Sequence, residues 1–128
     1  MNRYVIDTYA WIEYLDGTGA GLKVRKILLE DSEVYTHLVS IAEVICRTKR
    51  SGKDVDVAYN SILRNSIIIN GNEELSKEVG ILHAEIKKKI KDFGLADAFV
   101  SATARKLNAK ILTGDPHFKK FKEAILIK

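Results

Sequence analysis

Glutamine is absent from this 128-residue chain, and cysteine, methionine, proline and tryptophan each occur once. The single Cys46 can close no intramolecular disulfide and build no multi-cysteine zinc site, so disulfide scaffolds and zinc ribbons are excluded. No apolar run approaches the length of a membrane span. The opening segment from Met1 to Trp11 has no apolar stretch long enough for a signal peptide. The expectation is a cytoplasmic protein in a reducing compartment, without membrane contact. The lack of glutamine, with abundant Ile and Lys, leans toward the composition of heat-adapted proteins. Neither sign of charge dominates: 21 Lys and Arg face 17 Asp and Glu, a net +4 that permits a nucleic-acid partner without demanding one.

What is present has the balance of an ordinary globular protein, 46% hydrophobic and 30% charged. The length suits one domain over residues 1–128 with a core of its own. There is no internal repeat, low-complexity tract or linker. Short β-rich runs alternate with helical patterns instead. Arg3 to Ile6 predicts a strand, Thr8 to Leu15 a helix, and Asp16 to Gly19 a break. A second helix carries Leu22, Val24, Ile27 and Leu28. Val34 to His37 is the next strand, followed by a helix with Ile41, Val44 and Ile45. A break at Ser51-Gly52 precedes a helix with Val55, Ala58 and Ile62. Ser66 to Ile69 predicts a third strand. The longest helix has an apolar stripe of Leu75, Val79, Leu82, Ile86 and Ile90, with Gly94 as its C-terminal stop. The run Lys87 to Lys91 then reads as its solvent face. Leu95, Ala98, Phe99 and Ala102 mark a further helix, and Lys110 to Thr113 and Ile125 to Ile127 the last two strands. The class that follows is α/β: a three-layer α/β/α sandwich on a five-stranded, mainly parallel sheet.

In such sheets ligands bind beyond the carboxyl ends of the strands, so the residues at each strand-to-helix handover matter most. Four acids stand at strand ends or helix starts: Asp7, Glu43, Asp97 and Asp115. Each also has a purely structural reading. Asp7 is a good N-cap. Ser40-Ile41-Ala42-Glu43 matches a capping box. Asp115-Pro116 matches an N-cap followed by proline at the first helical position. Asp97 gains from the positive end of a helix dipole. Asp97 is unusual, however, because its neighbours Leu95, Ala96, Ala98, Phe99 and Val100 are apolar, and a poorly solvated carboxylate needs a partner. Caps need not converge on one sheet edge; four carboxylates that do so repel one another unless something neutralises them.

A hard divalent cation is what neutralises such a cluster. Mg²⁺ and Mn²⁺ take oxygen ligands, whereas His37, His83 and His117 have no zinc-ligand spacing. With a substrate phosphate, such ions support hydrolysis by in-line displacement. His117 reads as a surface histidine, with protonation of a leaving group as its functional alternative.

The segments Val5-Ile6-Asp7-Thr8, Ser40-Ile41-Ala42-Glu43-Val44, Gly94-Leu95-Ala96-Asp97-Ala98 and Leu112-Thr113-Gly114-Asp115-Pro116-His117-Phe118 together resemble the PIN domain, most closely the small VapC-type toxin ribonucleases. The resemblance runs from Asp7 to Phe118. It implies an α/β/α sandwich on a five-stranded parallel sheet and Mg²⁺- or Mn²⁺-dependent endonucleolytic cleavage of RNA. It makes Asp7, Glu43, Asp97 and Asp115 the catalytic, metal-holding acids, with Thr8 and Thr113 as supporting hydroxyls. One departure stands out: many relatives carry a further Asp two residues after the last acid, where this chain has His117. The resemblance also implies a cognate antitoxin protein and, with it, an RNA substrate.

Asp7 and Asp97, flanking the centre of the sheet, are expected as principal ligands. Asp115 and Glu43 would complete the site directly or through water and orient or deprotonate the attacking water. Arg47, Arg50, Lys119 and Lys120 follow the motif acids and are candidates for holding the RNA backbone, against the reading of ordinary solvated helix ends. Tyr9, Trp11 and Tyr14 crowd the first helix; one of them exposed would suit a homodimer or partner peptide. A phospho-aspartate phosphatase would need Asp-x-Asp after the first strand, where Asp7-Thr8-Tyr9 stands, and a receiver domain an acid pair there. The alternatives that keep the fold are a catalytically silent RNA-binding or regulatory module, and an RNA-processing nuclease outside any toxin–antitoxin pair.

Overall fold

The computed structural model describes residues 1–128. Its elements follow in the order β1 (Arg3–Ile6), α1 (Thr8–Leu15), α2 (Gly19–Leu29), β2 (Glu33–His37), α3 (Leu38–Arg50), α4 (Val55–Asn65), β3 (Ile67–Ile69), α5 (Glu73–Lys87), α6 (Leu95–Leu107), β4 (Lys110–Thr113), a 3₁₀ turn (Pro116–Phe118) and β5 (Ala124–Leu126). The strands form one sheet in the order β3-β2-β1-β4-β5. Every pairing is parallel, with Val5 opposite both Tyr35 and Ile111.

Successive strand residues point to opposite faces, and both faces here are covered. Val5 and Ile111 join Leu75, Val79, Phe93 and Ala98 in one core, beneath α5 and α6. Their neighbours Ile6 and Leu112 join Trp11, Val24, Val44 and Ile62 in the other, beneath α1 to α4. Short apolar runs without alternation are what such doubly buried strands require. The expected three-layer sandwich is the fold observed.

Of the three aromatic residues on α1, none is exposed. Trp11 is completely buried, and its indole N–H donates to Thr36 Oγ1 at 3.1 Å. Tyr14 packs edge-on against it. Tyr9 turns toward the upper edge of the sheet, where its hydroxyl accepts from Lys128 at 2.9 Å. Lys128 also pairs with Glu13 at 2.6 Å, tying the segment after β5 to α1.

Three local expectations are corrected. Gly94 does not stop the long helix: α5 ends at Lys87, and Gly94 is the N-cap of α6. The chain leaves α5 early because Phe93 must turn inward, where it is fully buried, and the His83 Nε2–H holds the Phe93 carbonyl at 2.8 Å. Ser40 and Glu43 form no capping box. Helix α3 begins at Leu38, capped by His37, whose Nδ1 accepts from the Val39 N–H at 3.0 Å, so Ser40 already lies inside the first turn. The last strand runs one residue earlier than expected, over Ala124–Leu126. Ile127 is nevertheless held in line, its N–H donating to the Thr113 carbonyl at 2.9 Å.

Candidate active site

Strand order dictates where a ligand can enter. From β1 the chain moves outward to β2 and β3, then returns across the sheet to place β4 on the other side of β1. The β1/β4 boundary is therefore the topological switch point, and the crevice opens beyond the carboxyl ends of these two strands. Asp7 follows β1, and Asp115 follows β4 by two residues. Glu43 comes from α3 and Asp97 from the first turn of α6. All four acids line a single cleft of about 390 Å³, together with Thr8, Arg47 and Arg50.

Asp7 is the deepest of them, 4% exposed. It is the N-cap of α1, with one oxygen accepting from the Ala10 N–H at 2.8 Å. Its other oxygen accepts a short hydrogen bond from the Thr113 hydroxyl. Thr113 Oγ1 in turn accepts from the Asp115 N–H at 2.9 Å, so one hydroxyl links two of the acids across the strands. Loss of water from around Asp7 pushes its pKa up to about 7, with the charges of Asp97 and Asp115 adding to the rise and the two hydrogen bonds opposing it.

Asp97 accepts from the Gly94 N–H at 3.0 Å, closing the cap of α6 from within its first turn. Burial raises its pKa, and the nearby Asp115 and Glu43 raise it further. Asp115 caps the 3₁₀ turn by accepting from the His117 N–H at 2.9 Å. Glu43, at the exposed mouth, accepts from the Thr8 hydroxyl at 2.6 Å. Thus Asp7, Asp97 and Asp115 do perform the capping that their sequence positions suggest, and yet converge. Capping uses one oxygen of each of these carboxylates in a short-range contact.

The basic residues divide. Arg47 and Arg50 lie on the acid cleft. Lys119 and Lys120 lie on a neighbouring hollow of about 1000 Å³, together with Lys89, Arg105, Lys122 and the Phe121 ring. The two concavities abut through Asp115-Pro116-His117. The separation arises because the 3₁₀ turn after Asp115 carries the chain away, with Phe118 completely buried as its anchor.

Two features lay beyond local sequence patterns. The Tyr9 ring covers Gly114 so closely that a Cβ there would sit 2.4 Å from Tyr9 Cε1. A glycine between a buried threonine and a motif acid was the signal available for this close approach. His117, read as a surface histidine, is 34% exposed in its side chain and brings Nδ1 to 3.0 Å from Asp115 Oδ1. One ligand atom each from Asp97, Asp115 and His117 lie within 4.8 Å of one another.

An α/β sandwich with carboxylates converging on its switch point offers the oxygen-rich donor set of a hard divalent cation. The chain belongs to the PIN domain family, a family of nucleases, whose model matches residues 4–124. Among solved structures it is similar to a toxin–antitoxin complex from Klebsiella pneumoniae, at 18% identity and TM-score 0.76 over 98% of both chains. It is also similar to VapBC2 from Rickettsia felis, bound to a DNA fragment from its promoter, at 19% identity and TM-score 0.75 over 97% of this chain and 96% of that one. VapC20 from Mycobacterium tuberculosis, a toxin that cleaves the sarcin–ricin loop, is similar at 16% identity and TM-score 0.70, over 94% of this chain and 97% of that one. At these identities the likeness is one of fold. Comparison with curated proteins gives no match by sequence. No helix is long and apolar enough to cross a membrane.

Proposed function

We propose that this protein is a Mg²⁺- or Mn²⁺-dependent endoribonuclease and the toxin of a toxin–antitoxin pair. The observation that carries the reading is the state of Asp7: a carboxylate buried at the switch point, pushed up to about 7, with two further acids raising it. A protein gains nothing in stability from that arrangement alone, whereas a divalent cation makes it favourable. The donor set fits such an ion, being oxygen-rich and open on one side. Asp7, Asp97 and Asp115 would hold it, and Glu43 would act directly or through water.

A bound metal would supply activation of a water and stabilisation of charge on the departing oxygen. The rest falls to the side chains. Thr113 fixes Asp7 and the backbone of Asp115 in one register, so the acids are placed before substrate arrives. Glu43, held by Thr8 at the mouth, would orient the attacking water and accept its proton. Arg47 and Arg50, on the same cleft, would bind the phosphate flanking the scissile bond. Lys119 and Lys120 would receive the strand beyond it.

The antitoxin part of the reading is supported by likeness to chains solved in toxin–antitoxin complexes. It also accords with the large apolar side chains left exposed on α2 and α4, Leu22, Leu29, Val57 and Leu63 among them. Pairing with a second copy of the chain belongs to the same proposal.

The test is cleavage of a structured RNA by purified protein with Mn²⁺. Asp7→Asn or Asp97→Asn is expected to lower the rate by about 100-fold or more, some 3 kcal/mol of barrier, and a chelator to stop it. Activity undiminished in both variants and in chelator would overturn the assignment.

A further inference from the structure

We propose that His117 is itself a metal ligand in this site, and that its nitrogen makes the site select a first-row transition cation over Mg²⁺. The proposal rests on the reading of the acid cluster as a metal site, and adds to it a donor and a selectivity.

The geometry is that of an imidazole presented to a shared ion. His117 Nδ1 lies 3.0 Å from Asp115 Oδ1. Adjacent ligands of an octahedral ion with bonds of about 2.1 Å stand about 3 Å apart, so this separation is the edge of such a coordination shell. The set of ligand atoms from Asp97, Asp115 and His117 spans no more than 4.8 Å, close enough for all three to reach one ion after small side-chain adjustments. Nδ1 is shielded from water and makes no hydrogen bond, despite its closeness to Asp115. A shielded ring nitrogen 3.0 Å from a carboxylate oxygen, with no hydrogen bond of its own, is costly unless something fills the gap.

The backbone holds this placement. Pro116 starts the 3₁₀ turn, the His117 N–H is fixed to Asp115 Oδ1 at 2.9 Å, and Phe118 is locked in the core beside Phe93. An ordinary surface ion pair would need no such anchoring, and would be expected to align as a hydrogen bond.

The chemical consequence follows from donor type. Mg²⁺ favours an all-oxygen shell and keeps its waters, whereas imidazole nitrogen favours transition ions increasingly along the series from Mn²⁺ to Co²⁺ and beyond. Neutral His117 donates the Nδ1 lone pair, and any proton on Nδ1 is released to solvent when the ion binds.

The experiment uses MgCl₂, MnCl₂ and CoCl₂ as probes on the full chain, following apparent affinity by titration calorimetry, with no RNA present. His117→Asp restores an oxygen donor and His117→Asn removes the basic nitrogen. In the native protein Mn²⁺ and Co²⁺ should bind more tightly than Mg²⁺, in that order of increasing preference. The Mn²⁺-to-Mg²⁺ affinity ratio should fall by about tenfold in both variants. Pulsed electron paramagnetic resonance of the Mn²⁺-loaded native protein should show coupling to a directly bound nitrogen, a measurement that needs no variant to fold. If the metals bind but the nitrogen coupling is absent and the ratio is unchanged, His117 is no ligand, and the metal-site reading stands without it. If native protein binds none of the three ions, both fail together.

Discussion

Asp7 carries two duties that conflict in the metal-free protein. It caps α1 through Ala10, which favours a carboxylate, and it lies out of water beside other acids, which disfavours one. The second effect wins, since its pKa rises from 3.8 to about 7. The sign of the linkage follows. Between these values the folded state keeps a proton that the unfolded chain has lost, so this contribution is fully present below about pH 4 and disappears as pH rises through 7. Asp7→Asn keeps a capping oxygen but has no charge to bury. At pH 8 without metal it should therefore be more stable than native, by about 2 kcal/mol or at least 5 °C in melting temperature. The difference should shrink toward zero at pH 5. Saturating Mn²⁺ should reverse the order, because only the native site gains from the ion. Thermal melts at the two pH values, with and without MnCl₂, decide it; a variant less stable than native at pH 8 in chelator would contradict the assignment. Proton uptake near neutrality would also make metal binding pH-dependent, as competition between H⁺ and the cation at Asp7 requires.

At the scale of elements, the strand-end rule made the acid cleft legible from sequence because a parallel sheet converts local position into spatial convergence. Asp7, Asp97 and Asp115 were visible as acids at handovers, and each handover points the same way. What local patterns could not convey were consequences of packing. Gly94 looked like a helix stop, since a glycine ends or starts a helix by similar signals; the burial of Phe93 decided between them. The Ser40–Glu43 box failed because His37 supplied a cap three residues earlier. His117 could not be connected with Asp97 without knowing that β4 returns beside β1. Glycine packing gives this scale its own prediction. Gly21 lets α2 approach α1 so closely that a Cβ would lie 2.2 Å from the Glu13 carbonyl oxygen, whereas around Gly80, in α5, nothing lies within 4 Å. Gly21→Ala must drive backbone from backbone and should destabilise by about 3 kcal/mol. Gly80→Ala should stabilise by about 0.5–1 kcal/mol through helix propensity. Urea denaturation of both variants checks the pair, and equal effects would show that the α1–α2 contact tolerates separation.

For the whole molecule, the net +4 understates the field that an RNA strand would meet. Four of the acids are gathered in one cleft, so the remaining surface is more basic than the total suggests, and a bound cation would offset the cleft as well. The hollow next to it collects Lys89, Lys119, Lys120 and Lys122 above an apolar floor, and of its lysines and arginines only Arg105 is held in an ion pair, with Glu123 at 3.0 Å. A single strand crossing from cleft to hollow would follow Arg47 and Arg50, then pass Asp115 and His117, and leave along these lysines. Counterion release makes this path measurable, because each phosphate neutralised contributes about 0.7 to the slope of log affinity against log salt for a single strand. In an Asp97→Asn background, which keeps the RNA intact, Lys119→Ala with Lys120→Ala should therefore lower the slope by about 1.4 and weaken binding at low salt. Arg47→Ala with Arg50→Ala should do the same, and the two losses should add because the pairs lie on separate concavities. If only the arginine pair changes the slope, the strand is confined to the acid cleft and the hollow serves a different contact.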